Sequence, residues 1–585
     1  MIKRIHVFPA VLAAFLTLFL AGACQRGLAD GEYTLTVLST NDVHGSWFDE
    51  SYTGGPQRKS LLALNYYVDS VRTADGAGNV LLIDAGDCLQ GDNAAYYFNY
   101  IDTLTPHLFP RLVEYMHYDA VVVGNHDIET GHRVYDRVAA DLQKAGIPFL
   151  AGNYPRNDGK GSYFPLYKVF KKAGLKVAVI GYGNANIKGW LSEKIWSGMD
   201  FVSITQVIQR DVDLVRAKER PDVVVVAMHS GTGPGDGSIL ESQAMDSFNL
   251  VKGVDWIICA HDHRPYVEAR DSSAFLNSGS HSRFLAHGKL HLTVKDRKVV
   301  AKSYEADLIP VKAEKADPQM RATFQKDFDA VKAFTLQEVG ILNVDLRTRE
   351  AYVGMSPYIN LLHTLGLGCP PAEVSFAAPL TYNGTINAGI LRFNDLFTIY
   401  PFENQLFVVD LSGAEIRNYL EASYDRWIGG TNGHVLRISP RDDPRTQQVG
   451  WSFDGRTYNF DSAGGLRYTV DVTQPRGKRV NISSMADGTP FDETRMYHVA
   501  MTSYRASGGG ELLKEAGVDV GQLDERVVAR YQEIRNLLYE YLMKNGSIDP
   551  EVIGDESVIG HWQFIPEKEA AAAISRDMEL VFRKN

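Results

Sequence analysis

The stretch Ala120-Val-Val-Val-Gly-Asn-His-Asp127 decides how this chain is read. A short β-branched run breaks at a glycine, and the next residues offer a carboxamide, an imidazole and a carboxylate, the groups that hold hard or borderline divalent cations. Four other stretches repeat the arrangement. Tyr33 to Leu38 leads to Asp42-Val-His44, Val80 to Ile83 to Gly86-Asp87, Val223 to Met228 to His229, and Trp256 to Cys259 to His261-Asp-His263. Continuous Val/Ile/Leu runs separated by helix-length segments predict strands covered by helices on both faces. In such sheets ligands gather outside the carboxyl ends of the strands. Two divalent cations need roughly seven or eight protein ligands, one of them bridging, and these five clusters supply that number.

Each cluster alone has a plain structural use. Asn41 and Asp42 suit a loop, Asp87 can cap the segment after it, Asn125 tolerates a left-handed turn, and His229 could be a half-buried, satisfied histidine. Five such coincidences at five strand ends are improbable, and the joint reading is a metal centre.

Composition describes a large globular protein. The chain has 585 residues, beyond the ~250 to 300 at which single cores stop growing, so at least two domains are expected. Hydrophobic residues make up 45% and charged residues 22%, which argues against disorder or a membrane bundle. The formal net charge of -11, without a concentrated basic stripe, gives no support for duplex nucleic acid as a partner. No oligomeric state follows from the sequence.

The first two dozen residues read as a targeting segment. Lys3 and Arg4 precede an apolar stretch from Val7 to Leu20, followed by the small-residue context Ala21-Gly-Ala-Cys24. Cys24 stands where a bacterial lipoprotein carries its lipid, although a residue larger than Ala21 is more usual at that position. The expectation is a signal peptide over 1–24 and a mature protein in the periplasm or at the cell surface, touching the membrane only through a lipid on Cys24. Cys88, Cys259 and Cys369 remain, an odd number that makes no disulfide framework, and they read as small buried hydrophobes.

Thr40-Asn-Asp-Val-His-Gly45 and Gly124-Asn-His-Asp127 resemble the two signature blocks of the calcineurin-like metallophosphoesterases, in particular the two-domain bacterial 5'-nucleotidase family. The resemblance implies an α/β chain: an N-terminal four-layer αββα metallophosphoesterase domain (32–311), a helical linker (312–348), an α+β C-terminal substrate-binding domain (349–545) and a tail (546–585). The Ala/Lys/Gln-rich linker reads as helix interrupted by Pro318. The tail reads as a surface helix over Glu567 to Ile574 with no assignable role. The resemblance further implies that Asp42, His44, Asp87 and His263 hold one cation, while Asp87, Asn125, His229 and His261 hold the other, with Asp87 bridging. The cofactors would be two divalent ions such as Mn or Zn. His126 adjoins ligand Asn125 without being assigned to either metal. It is expected to stabilise the transferring phosphoryl group or protonate the leaving oxygen. Many relatives pair this histidine with an Asp three residues on, where this chain has Glu129; Asp127 is the alternative partner.

In the second half, Phe393-Asn-Asp-Leu-Phe-Thr-Ile-Tyr-Pro-Phe-Glu-Asn404 lies where relatives present a ring to the nucleobase, which suggests Phe402, with Tyr400 as second choice. Gly465-Leu-Arg-Tyr-Thr-Val-Asp-Val-Thr-Gln-Pro475 and Ser503-Tyr-Arg-Ala-Ser-Gly-Gly509 look like the branch acting on 2',3'-cyclic nucleotides and 3'-nucleotides, with Tyr504 as the second ring. Two departures weigh against a strict 5'-nucleotidase. The block Gly508-Gly-Gly-Glu511 lacks the Asp that meets the ribose in that branch, and Asn387-Ala-Gly-Ile-Leu-Arg392 replaces a Gly-Gly-x-Arg block, leaving Arg392 as the candidate phosphate-side cation. The expected function is 2',3'-cyclic-nucleotide 2'-phosphodiesterase and 3'-nucleotidase. A 5'-nucleotidase or UDP-sugar hydrolase is the alternative, and a non-catalytic nucleotide-binding lipoprotein a lesser one. Kinship also implies that the second domain rotates to deliver nucleotide to the cations.

Overall fold

The computed structural model describes residues 28–582 apart from 192, 403, 431–432 and 443–448. The leader and Cys24 lie outside the described residues. Among the described residues no helix is long and apolar enough to cross a membrane.

Twelve strands build the N-terminal half as two six-stranded sheets. The first runs β12-β11-β1-β2-β3-β4, with β1 Gly31–Thr40, β2 Val80–Asp84, β3 Ala120–Val122, β4 Phe149–Leu150, β11 Phe284–Lys295 and β12 Lys298–Pro310. The second runs β5-β6-β7-β8-β10-β9, with β5 Tyr167–Lys172, β6 Leu175–Tyr182, β7 Val223–Met228, β8 Trp256–Ile258, β9 Tyr266–Ala269 and β10 Ala274–Asn277. β1 to β4 are mutually parallel, as are β6, β7, β8 and β10.

The runs are apolar throughout because each strand is buried on both faces. In β7, Val223, Val225 and Ala227 enter a core shared with Leu35 and Val37 of β1, so the two sheets pack face to face. Val224, Val226 and Met228 point the other way, against the helix Ile204–Glu219. On the far side of the first sheet, Leu38, Leu82 and Val121 pack beneath the helices Leu61–Asp75, Leu108–Tyr115 and His132–Lys144. The result is four layers, helix, sheet, sheet, helix.

Pro318 does not interrupt the linker helix but begins it. The helix spans Pro318–Thr335, where proline at the first position forfeits no intrahelical bond, and the Asp317 side chain accepts from the amides of Gln319 and Met320. Met320, Phe324, Phe328 and Val331 then seat this helix on the N-terminal core. The C-terminal fold begins at the strand Glu338–Leu342, earlier than the expected boundary at 349. A five-stranded sheet, ordered 462–464, 374–377, 496–502, 405–412 and 527–533, forms its centre.

The segment read as a tail is part of that fold. Ser547–Ile548 pairs with Glu338–Leu342, and Gly560–Ile565 runs parallel to Leu466–Asp471. The last helix, Glu567–Phe582, buries Ala570 and Ile574 in the same core. Sequence reading saw the polar face of this helix and missed the stripe that docks. The halves meet where the Tyr96 hydroxyl donates to Asn536 Oδ1 (2.6 Å), Asn93 Nδ2 donates to Asn394 Oδ1 (3.1 Å), and Phe334 packs on Phe393 with ring centres 4.3 Å apart.

Candidate metal centre and substrate cavity

The loops after β1, β2, β3, β7 and β8 converge at one end of the two sheets, and their backbones are bonded to one another. Asp42 N–H donates to Gly86 O (2.9 Å) and His44 N–H to Asp87 O (3.0 Å). Asp42 (φ 49), His44 (φ 49), Asp87 (φ 60), His261 (φ 74) and His263 (φ 58) all adopt left-handed backbone. Such non-glycine residues cost about 1–3 kcal/mol each and persist only where surrounding structure holds them. Gly124 gives Asp87 room, since a Cβ there would lie 2.1 Å from Asp87 Oδ1.

Two groups of ligand atoms result, Asp42/His44/His263 and Asp87/His229/His261, each with its atoms within 4.8 Å of one another. In the first, His44 Nε2 stands 3.0 Å from His263 Nε2, and Asp42 Oδ1 lies 3.4 Å from His263 Nε2 and 3.9 Å from His44 Nε2. In the second, His229 Nε2 is 3.0 Å from Asp87 Oδ2, and Asn125 Oδ1 joins the group 2.9 Å from His261 Nδ1. Ligands about 2.0–2.2 Å from a common cation sit at separations of this order. His229 Nε2 is fully buried and, despite that short distance, is not aligned for a hydrogen bond with Asp87, so it makes none. A buried nitrogen that faces carboxylate, imidazole and carboxamide without an aligned hydrogen bond fits a divalent cation.

Electrostatics favour the same use. Burial drives His44 and His261 down to about 3, so each offers an unprotonated nitrogen at neutral pH. Burial opposes charge on His229 as well, but the Asp87 carboxylate outweighs it and lifts that imidazole to about 9, a site that stabilises positive charge. His229 Nδ1 points to Ala85 O (2.8 Å), which fixes the ring with Nε2 inward. Burial pushes the thiols of Cys88 and Cys259 well above their ordinary range, so both remain protonated apolar fillers.

His126 Nδ1 pairs with Glu129 Oε2 at 2.6 Å, and Gln90 Nε2 donates to the same oxygen at 3.1 Å. The longer glutamate therefore reaches the ring, and the alternative partner Asp127 is occupied elsewhere. Asp127 accepts four backbone N–H groups: Gly124 (2.8 Å) and Asp87 (3.1 Å) on one oxygen, Cys88 (2.9 Å) and Leu89 (3.0 Å) on the other. It ties two ligand loops together.

A cavity of about 540 Å³ opens from this centre into the C-terminal domain. Asp87, His126, His261 and His263 line one end; Phe402, Tyr458 and Tyr504 line the other. Phe402 and Tyr504 are 43% and 38% exposed, unlike the packed aromatics around them. Both stand nearly perpendicular to Tyr458, at 77° and 84°, with ring centres 6.4 and 6.3 Å from it. This geometry makes Tyr458 the back of a slot walled by the other two. Tyr400 is buried, its hydroxyl accepting from Asn404 Nδ2 (3.2 Å).

Residues 35–265 match the family model of calcineurin-like phosphoesterases, and residues 338–515 that of the 5'-nucleotidase C-terminal domain. The chain belongs to the 5'-nucleotidase family of calcineurin-like phosphoesterases. It is thus a metal-dependent phosphoric ester hydrolase working with two divalent ions, for which the two ligand groups provide the places. Among its relatives, the 2',3'-cyclic-nucleotide 2'-phosphodiesterase/3'-nucleotidase of Haemophilus influenzae is 25% identical over 93% of this chain and 89% of its own length. The trifunctional nucleotide phosphoesterase protein YfkN of Bacillus subtilis is 23% identical over 90% of this chain, which spans only 39% of that longer protein. A Staphylococcus aureus crystal structure, provisionally named a 5'-nucleotidase, shares the fold, with a TM-score of 0.71, 22% identity, and 91% of this chain and 99% of that chain covered.

Arg392 departs from expectation. It is exposed at the end of the strand Gly389–Arg392, in the sheet shared with 338–342 and 547–548, and is not among the cavity walls. Among the described residues lining the cavity, the sole Lys or Arg is Arg505, which is paired with Asp461 at 2.7 Å. The Gly465–Pro475 stretch forms a core strand, with Tyr468 buried against Tyr424. Tyr458, Glu241 and the Arg505–Asp461 pair were missed, as were His281, 5.3 Å from the His44 ring, and Trp190, stacked on His261 at 5.4 Å. Arg505 lies within the quoted Ser503–Gly509 block without a role read from it, and the others lie in loops or short turns without periodicity or motif spacing to mark them.

Proposed function

We propose that this chain hydrolyses nucleotides, with 2',3'-cyclic nucleotides and 3'-nucleotides as its substrates. The observation carrying the proposal is that the metal-ligand groups and three half-open aromatic rings line one cavity. A nucleobase stacked on aromatic faces gains about 1–3 kcal/mol per contact with little dependence on base identity, so the rings anchor one end of the substrate. The name of the Haemophilus influenzae relative and the two departures in the C-terminal blocks favour the cyclic and 3'-phosphate branch.

Asp42, His44, Asp87 and His263 would hold one cation, and Asp87, Asn125, His229 and His261 the other. When bound, the two ions supply charge for the phosphoryl oxygens and a water of lowered pKa. The chain's own residues do the rest. With Arg505 committed to Asp461, no guanidinium among the described residues of the cavity wall is left to neutralise phosphate. His126, held through Nδ1 by Glu129, is placed to donate to a phosphoryl oxygen or to the leaving oxygen. The leader-like residues 1–24 support export to the periplasm or cell surface, which cell fractionation tests.

A 5'-nucleotidase or UDP-sugar hydrolase is the second reading, favoured by the match of residues 338–515 to that family's C-terminal domain. Phosphate release from 2',3'-cyclic AMP, 3'-AMP, 5'-AMP and UDP-glucose, with Mn²⁺ and Zn²⁺ supplied separately, decides between them. Preference for the first two substrates supports the proposal; preference for 5'-AMP or UDP-glucose overturns it.

A further inference from the structure

Among the described residues, four carboxylates line the cavity: Asp87, Glu241, Asp262 and Asp461. Three are committed. Asp87 belongs to the metal groups. Asp262 accepts from Thr232 N–H (2.9 Å), Asn277 Nδ2 (3.0 Å) and Arg264 N–H (3.2 Å). Asp461 takes Arg505 on both oxygens, at 2.7 and 2.9 Å, and the Tyr419 hydroxyl besides. Glu241 has only a 3.4 Å contact from Asn186 Nδ2 on one oxygen. Its half-buried carboxylate forms no ion pair among the described residues.

The position of Glu241 is fixed although its carboxylate is not engaged. Its main-chain oxygen accepts three bonds, from Gly231 N–H (3.0 Å), Ser230 Oγ (3.1 Å) and Asn184 Nδ2 (3.2 Å). Ser230 follows His229 directly, so the segment is clamped to a ligand loop of the N-terminal half. Glu241 thus lines the same cavity as the metal centre and the three rings.

We propose that Glu241 reads the sugar, its carboxylate accepting a hydrogen bond from the ribose hydroxyl next to the scissile ester. The inference rests on the 3'-nucleotidase reading above, in which that hydroxyl is the 2'-OH. Sugar hydroxyls are donors, and a carboxylate short of donors is their complement; the bond is charge-assisted and stronger than one between neutral groups. Burial lifts the Glu241 carboxyl above its ordinary range, and the long contact from Asn186 offsets this only in part. Ser242 lines the cavity alongside, and its hydroxyl can donate to a lone pair of the same sugar oxygen.

The test compares kcat/KM for 3'-AMP with that for 2'-deoxyadenosine 3'-phosphate in the full-length, metal-loaded native enzyme and in Glu241→Ala and Glu241→Gln. The native enzyme should prefer the ribonucleotide by about 10- to 100-fold, the weight of one hydrogen bond to a charged acceptor. Glu241→Ala should collapse this preference to within about threefold, mainly through loss on the ribonucleotide, and Glu241→Gln, whose amide oxygen still accepts, should fall between. A native enzyme that cleaves both substrates alike overturns the inference without any variant having to fold. So does a Glu241→Ala enzyme that loses the same factor on both, which marks a merely structural role. If native enzyme turns over neither substrate, the 3'-nucleotidase reading fails, and this one with it.

Discussion

Asp127→Asn changes one atom and should loosen the metal centre without touching a ligand. One Asp127 oxygen receives the amides of Gly124 and Asp87, the other those of Cys88 and Leu89. An asparagine keeps one acceptor and turns an NH₂ toward two N–H donors. Two hydrogen bonds to a buried charged acceptor are lost, each worth about 1.5–3 kcal/mol, so about 3–6 kcal/mol of loop order is at stake. The two loops involved carry Asp87, which would serve both ions, and Asn125, which would serve the second. Losing a partner that orients ligands typically weakens metal binding about 10- to 100-fold. Competition with a chelator of known affinity, for Zn²⁺ and for Mn²⁺, measures this directly. Weaker affinity in Asp127→Asn is the expected result, larger for the ion that also uses Asn125, with kcat restored at saturating metal. Unchanged affinity for both ions would refute the reasoning, because it would mean the ligand loops hold their strained backbones without this carboxylate.

Two further predictions concern the C-terminal domain. Phe402→Ala and Tyr504→Ala should each lower kcat/KM for a nucleotide by about 5- to 150-fold, from ~1–3 kcal/mol of stacking, and affect p-nitrophenyl phosphate far less; equal losses on both substrates would contradict base stacking. His363, fully buried between the Ser375 and Ser462 hydroxyls, is lowered by burial to about 4, against about 6.5 in an unfolded chain. Between those values the unfolded state binds the extra proton, so stability rises with pH and about 3 kcal/mol is lost as pH falls from 6.5 to 4. Thermal melts should show a shallower acid slope in His363→Gln, and an identical slope would argue against this role.

The metal centre was legible because its chemistry is local. Each ligand follows a buried strand within a few residues, and the β-branched runs mark the strands. The four layers follow from the same runs, since Val223 to Met228 can be apolar throughout only if both faces are covered. Legibility ends where position depends on tertiary packing. Tyr458 and Glu241 become functional candidates only once distant strands and loops enclose a cavity, and neither sits in a motif. Arg392 had the right chemistry in about the right block, yet its strand pairs with 338–342 and leaves the side chain exposed. Pro318 reads as a breaker in sequence because proline ends helices more visibly than it begins them. The 546–585 segment looked like a tail because parallel pairing of 560–565 with 466–471 spans nearly a hundred residues and leaves no local trace.

Elemental analysis of purified, active protein tests the two-cation centre most directly. About two divalent ions per chain are expected, falling to one or fewer in Asp87→Ala together with loss of phosphate release. Full hydrolysis by metal-stripped protein, or by Asp87→Ala, would contradict the account.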